Sequence, residues 1–214
     1  GGDGVAAARF LLEMGWEVRC VLVGKREKMS PDCREMERRL EQSGGKLEDF
    51  TDSDSQFAAW SLEADVMVDA LFGIGLNTDL RGDAVTAVQM MNTCGVPVVA
   101  VDIASGVEAD TGRVLGTAVN AAKTVTFTLP KAGHFVGKGG LCCGTLEVVD
   151  IGIPADLVQR ESYPVTSVDR SRVSLPVRPR DAHKGDFGRV YILGGSVGLS
   201  GAPVLAAQAA VRTG

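Results

Sequence analysis

Two short segments carry the polar residues best placed to do chemistry. They are residues 69–76, Asp-Ala-Leu-Phe-Gly-Ile-Gly-Leu, and residues 101–106, Val-Asp-Ile-Ala-Ser-Gly. In each, an apolar run ends in an aspartate and a turn of small residues follows. This pattern is typical of a buried parallel strand that brings a carboxylate to the carboxyl edge of a sheet, where open α/β folds bind ligands. We therefore expect one crevice for a small polar or anionic ligand, lined by Asp69, Asp102, Ser105 and the backbone of Gly73, Ile74 and Gly75.

Two glycine-rich segments could present backbone amides to an anion. Residues 1–4, Gly-Gly-Asp-Gly, lead directly into a predicted helix, whose positive end attracts negative charge. On local evidence alone, the favoured interpretation is that Asp3 caps that helix. Residues 73–79 resemble a dinucleotide fingerprint, but Thr78 stands where the third glycine belongs, so the fingerprint is absent. The turn could still hold a phosphate, or it could serve only as a tight strand-to-helix connection.

The remaining polar candidates are single residues. Oxygen ligands from Asp69 and Ser105 suit a hard cation, although an aspartate at a strand end can also cap a nearby turn. Lys131 follows a predicted strand and either reaches the same crevice or stays exposed in a loop. We expect His134 and His183 to be surface or hydrogen-bonded histidines rather than catalytic ones.

Strands alternate with helices along most of the chain. Helical spacing and capping signals predict helices at residues 4–12, 32–42 and 84–92, the second capped by Ser30 with Pro31 in its first turn. Apolar runs predict strands at residues 18–23, 47–50, 65–71, 96–102, 122–128 and 145–150. This order implies right-handed crossovers, and hence an α/β protein whose Rossmann-like sheet is mainly parallel with helices on both faces. We expect the last two strands to be mixed or edge strands.

The composition changes after residue 154. Residues 155–180 are rich in Pro, Ser, Arg and Asp and read as a linker. A strand at residues 189–193, a glycine turn and a helix from about Ala202 then predict a new unit. Because the chain lacks an initial Met and closes within a helical segment, we expect it to be part of a longer protein.

Charge and cysteine content narrow the possible partners. The 214 residues carry a formal charge of −5, which argues against nucleic acid as a partner. The longest apolar stretches are too short to span a bilayer, so we expect no membrane association. The five cysteines are scattered without metal-ligand spacing, and no signal peptide opens the chain, which favours a cytoplasmic protein with reduced thiols.

Taken together, the motifs resemble the YjeF family of NAD(P)H-hydrate repair proteins. In its bifunctional members an epimerase domain precedes a dehydratase domain that uses ADP or ATP and resembles the ribokinase fold. The matching epimerase motifs lie at residues 1–4, 69–76, 101–106, 110–112, 124–127, 131–133 and 150–154. The dehydratase motifs lie at residues 183–188, 194–196 and 200–203. The resemblance implies an epimerase domain at 1–154, a linker at 155–180, and at 181–214 the first strand and helix of the ribokinase-like domain.

The resemblance also implies roles for individual residues. Asp69 and Ser105 would hold a potassium ion, and in the dehydratase unit Ala202 would touch the substrate. The hydrated dinucleotide NAD(P)HX would be bound by Gly1, Gly2, Asp3, Gly73, Ile74, Gly75, Leu76, Asn77, Thr78, Asp79 and Asp102.

Two departures from the family pattern bear on the site. The family has proline where Ala104 stands, although Ser105 keeps its hydroxyl. The family also has two asparagines before the position of Gly1, one of them a potassium ligand, and neither is in this chain.

The chemistry of the substrate suggests a role for Asp102. The hydroxyl on C6 of the damaged nicotinamide ring lies next to the ring nitrogen, so it can leave to form an iminium, or the ring can open to an aldehyde. Reclosure on the other face gives the epimer, and either route needs a group that moves a proton. Asp102 is our candidate acid/base because it ends a strand and has no evident salt-bridge partner in the sequence.

Other functions remain open at this stage. The last segment also suits a ribokinase-like small-molecule kinase, and an epimerase-like domain could act as a non-catalytic binding module. An ordinary NAD-dependent dehydrogenase would need the glycine fingerprint that Thr78 interrupts. The sequence leaves the oligomeric state open, a homo-oligomer included.

Overall fold

The computed structural model describes residues 1–50, 55–163, 165–168, 170–174, 177, 179–183 and 185–213. The chain divides into two compact units, Gly1–Val165 and Thr166–Gly214. None of the described helices is both long enough and apolar enough to cross a membrane.

The first unit alternates strands and helices as the sequence predicts. Its helices are α1 (Gly2–Glu13), α2 (Pro31–Gln42), α3 (Ser55–Glu63), α4 (Asp83–Thr93), α5 (Gly139–Cys142) and α6 (Ala155–Arg160). Its strands are β1 (Cys20–Leu22), β2 (Leu47–Asp49), β3 (Met67–Asp69), β4 (Val98–Val101), β5 (Lys123–Phe127) and β6 (Thr145–Val149). The six predicted strands all form, each within its predicted limits. We did not predict α3 or α5, and α6 falls in the stretch that we expected to be a linker.

All pairs between the described strands are parallel. A two-stranded sheet joins β1 to β2, and a four-stranded sheet runs in the order β3-β4-β5-β6. The α/β class with a parallel sheet is thus confirmed. The expectation of mixed strands at the end of the sheet was wrong, because β5 and β6 pair in parallel over five residues, although β6 is an edge strand as expected.

Two apolar clusters pack the first unit. One joins α1 and α2 to the small sheet and contains Val5, Ala8, Cys33, Leu40 and Leu47. The other lies around α4 and the large sheet and includes Val88, Val98, Ala100 and Ile103. Helix α2 begins as predicted, since the Ser30 hydroxyl accepts a hydrogen bond from the Cys33 amide at 3.1 Å.

A cavity separates the two sheets. Its volume is about 470 Å³, and β1 and β3 both line it. Among the described strands, β1 pairs only with β2, and β3 pairs only with β4. The sheet is therefore interrupted between the two strands rather than continuous.

The second unit contains α7 (Gly201–Thr213), which confirms the predicted helix. The predicted strand at residues 189–193 was wrong, since these residues have no strand pairing. Their neighbours Ser196 and Leu199 form a single antiparallel bridge across a turn. A strand needs a partner for its backbone groups, and no other segment described in this unit supplies one.

Candidate functional site

The two predicted aspartates lie at the carboxyl ends of neighbouring strands. Asp69 is the last residue of β3, and Asp102 directly follows β4, which pairs with β3 in parallel. The loops after these strands are joined by Ser105, whose hydroxyl accepts a hydrogen bond from the Phe72 amide at 2.9 Å. The structure therefore brings Asp69, Asp102 and Ser105 to one edge of the sheet, as predicted. The prediction that all three line an open crevice was wrong, because Asp69 and Ser105 are fully buried and only Asp102 is partly exposed.

Asp69 is fully buried and bonded to the loop that follows β4. Its Oδ2 accepts from the Ser105 amide at 2.8 Å, and its Oδ1 accepts from the Ser105 hydroxyl at 2.6 Å and from the Leu71 amide at 3.3 Å. Burial raises the pKa of this carboxyl group, while the hydrogen bonds from Ser105 and Leu71 oppose the shift. Asp69 thus holds the loop after β3 and the loop after β4 together through hydrogen bonds.

The oxygen atoms around Asp69 fit a potassium ion by type. A carboxylate, the Ser105 hydroxyl and the Phe72 carbonyl, 3.3 Å from that hydroxyl, are all ligands that hard cations prefer. No lysine or arginine in the described part of the chain forms an ion pair with Asp69. A bound cation would therefore supply the positive charge that the ionised carboxylate lacks.

The Asp102 carboxylate lies within a polar cluster that contains Lys131. Of the two predicted positions of Lys131, the one beside the strand ends is confirmed and the exposed-loop alternative was wrong. Asp102 Oδ1 accepts hydrogen bonds from the Thr126 hydroxyl at 2.9 Å and from the Lys131 ammonium. Lys131 Nζ also donates to Thr126 Oγ1 at 2.7 Å and to the Phe127 carbonyl at 3.3 Å. The expectation that Asp102 has no salt-bridge partner was wrong, because Lys131 lies 29 residues away and only the fold brings it close.

Asp102 keeps one oxygen available. Its Oδ2 has no hydrogen-bond partner among the described residues, and it is not among the buried unpartnered atoms. The side chains of Asp102 and Lys131 are 15% and 19% exposed. Oδ2 can therefore contact a ligand while Oδ1 is held by Lys131 and Thr126.

The glycine loop after β3 presents free amides. The N–H groups of Gly73, Ile74 and Gly75 bond to no acceptor in the described ranges, and all three residues are exposed. The loop is anchored at its start by Phe72 on Ser105 and at its end by Leu80, whose amide donates to the Leu115 carbonyl at 3.1 Å. Leu76 is half-buried, whereas Asn77, Thr78 and Asp79 are exposed. Such a loop can bind a phosphate through its backbone.

The start of α1 lies beside the end of β3. The Gly1 amino group donates to the Ala70 carbonyl, and a side chain at Gly4 would come within 2.5 Å of Ala70 Cβ. Gly1 is the residue before the helix, and Asp3 lies inside the first turn, so the alternative in which Asp3 caps the helix was wrong. Gly1 thus reaches the same edge of the sheet as Asp69, whereas Gly2 faces Cys33 of α2 and Asp3 is exposed. Ala202 belongs to the second unit, where it lies in the first turn of α7.

Both histidines are hydrogen-bonded, as expected. His183 is exposed and contacts Asp186, with 3.2 Å between Nδ1 and Oδ2. His134 is buried instead, because the turn that contains it packs against the loop after β4.

Lowering the pH should destabilise the protein, because His134 is buried in its neutral form. Burial lowers the pKa of His134 below its ordinary 6.5, and so does the charge of Lys131, while contacts with Asp102 oppose the shift. Below about pH 6.5 the unfolded chain therefore binds a proton that folded His134 does not. We expect the free energy of unfolding to fall as the pH drops from 6.5 through the folded pKa of His134.

The measurement is urea unfolding at several pH values. The free energy of unfolding should fall less steeply with decreasing pH in His134→Gln. The matched control His183→Gln should show the same pH dependence as the wild type, because His183 is exposed. Equal slopes in the wild type and in His134→Gln would contradict the prediction.

Thr128 is a strained residue that the sequence analysis missed. It follows β5 with a φ of +62°, a conformation that β-branched residues rarely adopt, and its buried hydroxyl has no hydrogen-bond partner among the described residues. Asp102, at the end of the neighbouring strand, has a φ of +67°. Strained residues of this kind cluster at functional sites.

Replacing Thr128 with glycine should stabilise the protein by about 1 kcal/mol. The change removes the backbone strain and the unpartnered hydroxyl, and the extra entropy of glycine in the unfolded chain offsets part of the gain. Urea unfolding measures the effect. The control Thr145→Gly, at an exposed position of β6, should lower the stability instead; a loss in both variants would contradict the strain argument.

Comparisons with known proteins identify relatives of the whole chain. The sequence profile described as YjeF-related protein N-terminus matches residues 1–133. Proteins named bifunctional NAD(P)H-hydrate repair enzyme Nnr match at 42% identity in Moorella thermoacetica and at 39% in Thermofilum pendens. Each alignment covers 100% of this chain but 41% of the relative, so the chain spans about two fifths of the relatives' length.

A solved structure has a similar fold. The crystal structure of the yeast protein ynu0 (YNL200c) matches with a TM-score of 0.60 and 22% sequence identity, over 77% of this chain and 69% of that one. The likeness supports the parallel α/β fold described above.

Proposed function

Because the chain belongs to the family of YjeF-related N-terminal domains, we propose that its first unit epimerises the R and S hydrates of NADH and NADPH. The observation that carries this proposal is the Asp102 carboxylate, whose Oδ1 is held by Lys131 and Thr126 while Oδ2 is free. The loop of free amides follows the neighbouring strand β3. The name shared by the relatives, NAD(P)H-hydrate repair enzyme, points to the same substrate class.

Asp102 is the proposed acid/base. Its free Oδ2 would take the proton of the C6 hydroxyl as the ring opens, or give one to that hydroxyl as it leaves. Lys131 would hold Oδ1 and balance the negative charge of the carboxylate, leaving Oδ2 for the substrate. Geometry of this kind would serve both directions of an epimerisation.

Backbone amides would hold the dinucleotide. The free N–H groups of residues 73–75 suit its phosphates, and Asn77, Thr78 and Asp79 offer exposed polar groups further along the same loop. Gly1, Gly2 and Asp3 would complete the binding site from the start of α1. Fixing both ends of the substrate would bring the nicotinamide ring against Asp102.

Asp69 and Ser105 are the proposed potassium ligands. When bound, the ion would supply positive charge close to the substrate phosphates. Asp69 and Ser105 themselves would keep the loops after β3 and β4 together, through the 2.6 Å and 2.8 Å hydrogen bonds between them.

The remaining assignments concern the longer protein that the relatives represent. We propose an epimerase domain at 1–154, a linker at 155–180 and the start of a dehydratase domain at 181–214, where Ala202 would touch the substrate. That domain would use ADP or ATP to dehydrate S-NAD(P)HX. We place the protein in the cytoplasm and propose that it can form a homo-oligomer.

Chromatography of the hydrates tests the proposal. Pure R-hydrate of NADPH is incubated with the chain, and with a version carrying two asparagines before Gly1, in potassium or in sodium buffer. We expect S-hydrate to appear faster than in buffer alone, most rapidly with the asparagines and potassium. If neither protein speeds the interconversion, the epimerase proposal is wrong. Saturable binding of the hydrate without turnover would then favour a binding module.

A further inference from the structure

His134 links the turn after β5 to the backbone of Asp102. It is the last residue of the 3₁₀ turn Ala132–His134, and it is buried, with 5% of its surface exposed. Its Nδ1 lies 3.0 Å from the Lys131 amide nitrogen, and its Nε2 lies 2.9 Å from the Asp102 carbonyl oxygen. Both ring nitrogens therefore have a hydrogen-bond partner: Nδ1 contacts the backbone of Lys131, and Nε2 contacts the backbone of Asp102.

The two partners determine the tautomer. An amide N–H can only donate, so Nδ1 must carry a lone pair; a carbonyl oxygen can only accept, so Nε2 must carry the proton. The ring is thus neutral and of the Nε2–H form. Protonation of Nδ1 would break its contact with the Lys131 amide and place a positive charge beside the Lys131 ammonium.

Asp102 needs such a contact because its backbone is strained. Its φ of +67° lies in the left-handed region, which residues other than glycine adopt uncommonly and at a cost in free energy. Its amide donates to the Val125 carbonyl at 2.7 Å, and its own carbonyl accepts from His134. These bonds hold the backbone on both sides of the Asp102 side chain.

The turn that carries His134 is itself firmly held. The Gly133 amide donates to the Ala109 carbonyl at 2.6 Å, and a side chain at Gly133 would lie 2.6 Å from the Glu108 carbonyl oxygen. Only glycine allows this approach. The imidazole therefore projects from a rigid support toward Asp102.

We propose that His134 is a positioning residue: its neutral imidazole holds Asp102 in the left-handed conformation that keeps the carboxylate on Lys131 and Thr126 with one oxygen free. The inference rests on the proposed function for its effect on catalysis, but the conformational effect stands apart from it. Without the imidazole N–H, the Asp102 carbonyl loses its donor, and the residue can relax toward ordinary backbone angles.

Two variants separate positioning from general stability. His134→Leu fills the space without a donor, whereas the amide of His134→Gln can still donate to the Asp102 carbonyl. His183→Gln is the matched control, since His183 is exposed in the other unit. We expect His134→Leu to lower the kcat of hydrate epimerisation by about 10- to 100-fold with KM changed less than about twofold, and His134→Gln to recover most of the loss.

NMR supplies a readout that does not depend on activity. In the wild-type chain, ¹⁵N shifts of the His134 ring should show the Nε2–H tautomer, and the backbone shifts of Asp102 should show a left-handed residue. The left-handed signature should vanish in His134→Leu and persist in His134→Gln. A left-handed Asp102 in folded His134→Leu, or an Nδ1–H tautomer in the wild type, would overturn the proposal. If these signatures hold but the wild type does not epimerise the hydrate, the proposed function fails and the positioning role remains.

Discussion

Asp102→Asn should lower the rate of hydrate epimerisation by about 10²- to 10⁴-fold, the usual contribution of a positioned acid/base. Asparagine has nearly the same shape, tolerates the left-handed backbone at this position and can still accept from Thr126. It cannot take a proton at pH 7, and it removes the charge that Lys131 pairs with. The measurement is the initial rate of S-hydrate formation from pure R-hydrate.

The controls for this variant address folding and charge. Thermal unfolding should show that Asp102→Asn still folds cooperatively. Asp65→Asn removes an equal charge at an exposed position outside the cluster and outside the family motifs, and it should leave the rate unchanged. Near-normal turnover by folded Asp102→Asn would rule out Asp102 as the acid/base and would direct attention to Lys131.

Asp69→Ala should lower the free energy of unfolding by about 3–5 kcal/mol, because it leaves buried hydrogen-bond donors without an acceptor. The Ser105 amide, the Ser105 hydroxyl and the Leu71 amide all donate to this fully buried carboxylate. Asp69→Asn should cost much less, about 1 kcal/mol, since its amide oxygen can still accept and its NH₂ can donate to Ser105 Oγ. Urea unfolding measures both changes.

The same pair of variants tests the proposed potassium ligand. Exchanging sodium for potassium should raise the unfolding temperature of the wild type, since a ligand that binds only the folded state stabilises it. The shift should disappear in Asp69→Asn, which keeps the loops together but lacks the negative charge. Asp65→Ala, at an exposed position just before β3, should behave as the wild type in both measurements. A potassium effect that survives in Asp69→Asn would exclude Asp69 as a ligand.

Local sequence patterns were sufficient for most elements of the first unit. The alternation of apolar runs and helical segments predicts all six strands and a mainly parallel sheet, because parallel strands need the crossovers that the helices provide. It did not predict that β5 and β6 are also parallel. The Ser30-Pro31 pair predicts the start of α2, since both residues act within one turn. The prediction failed at residues 189–193, because an apolar run becomes a strand only where another strand can pair with it.

The sequence by itself determined which residues reach the carboxyl edge of the sheet, since Asp69 and Asp102 each follow a recognisable apolar run and strand direction places both at one edge. Only the tertiary structure decided what surrounds them. Lys131 and His134 lie 29 and 32 residues from Asp102, and no local pattern distinguishes a loop lysine from one that folding brings to a carboxylate. The left-handed backbone of Asp102 and Thr128 was equally hidden, because no local sequence pattern marks a residue other than glycine for this conformation.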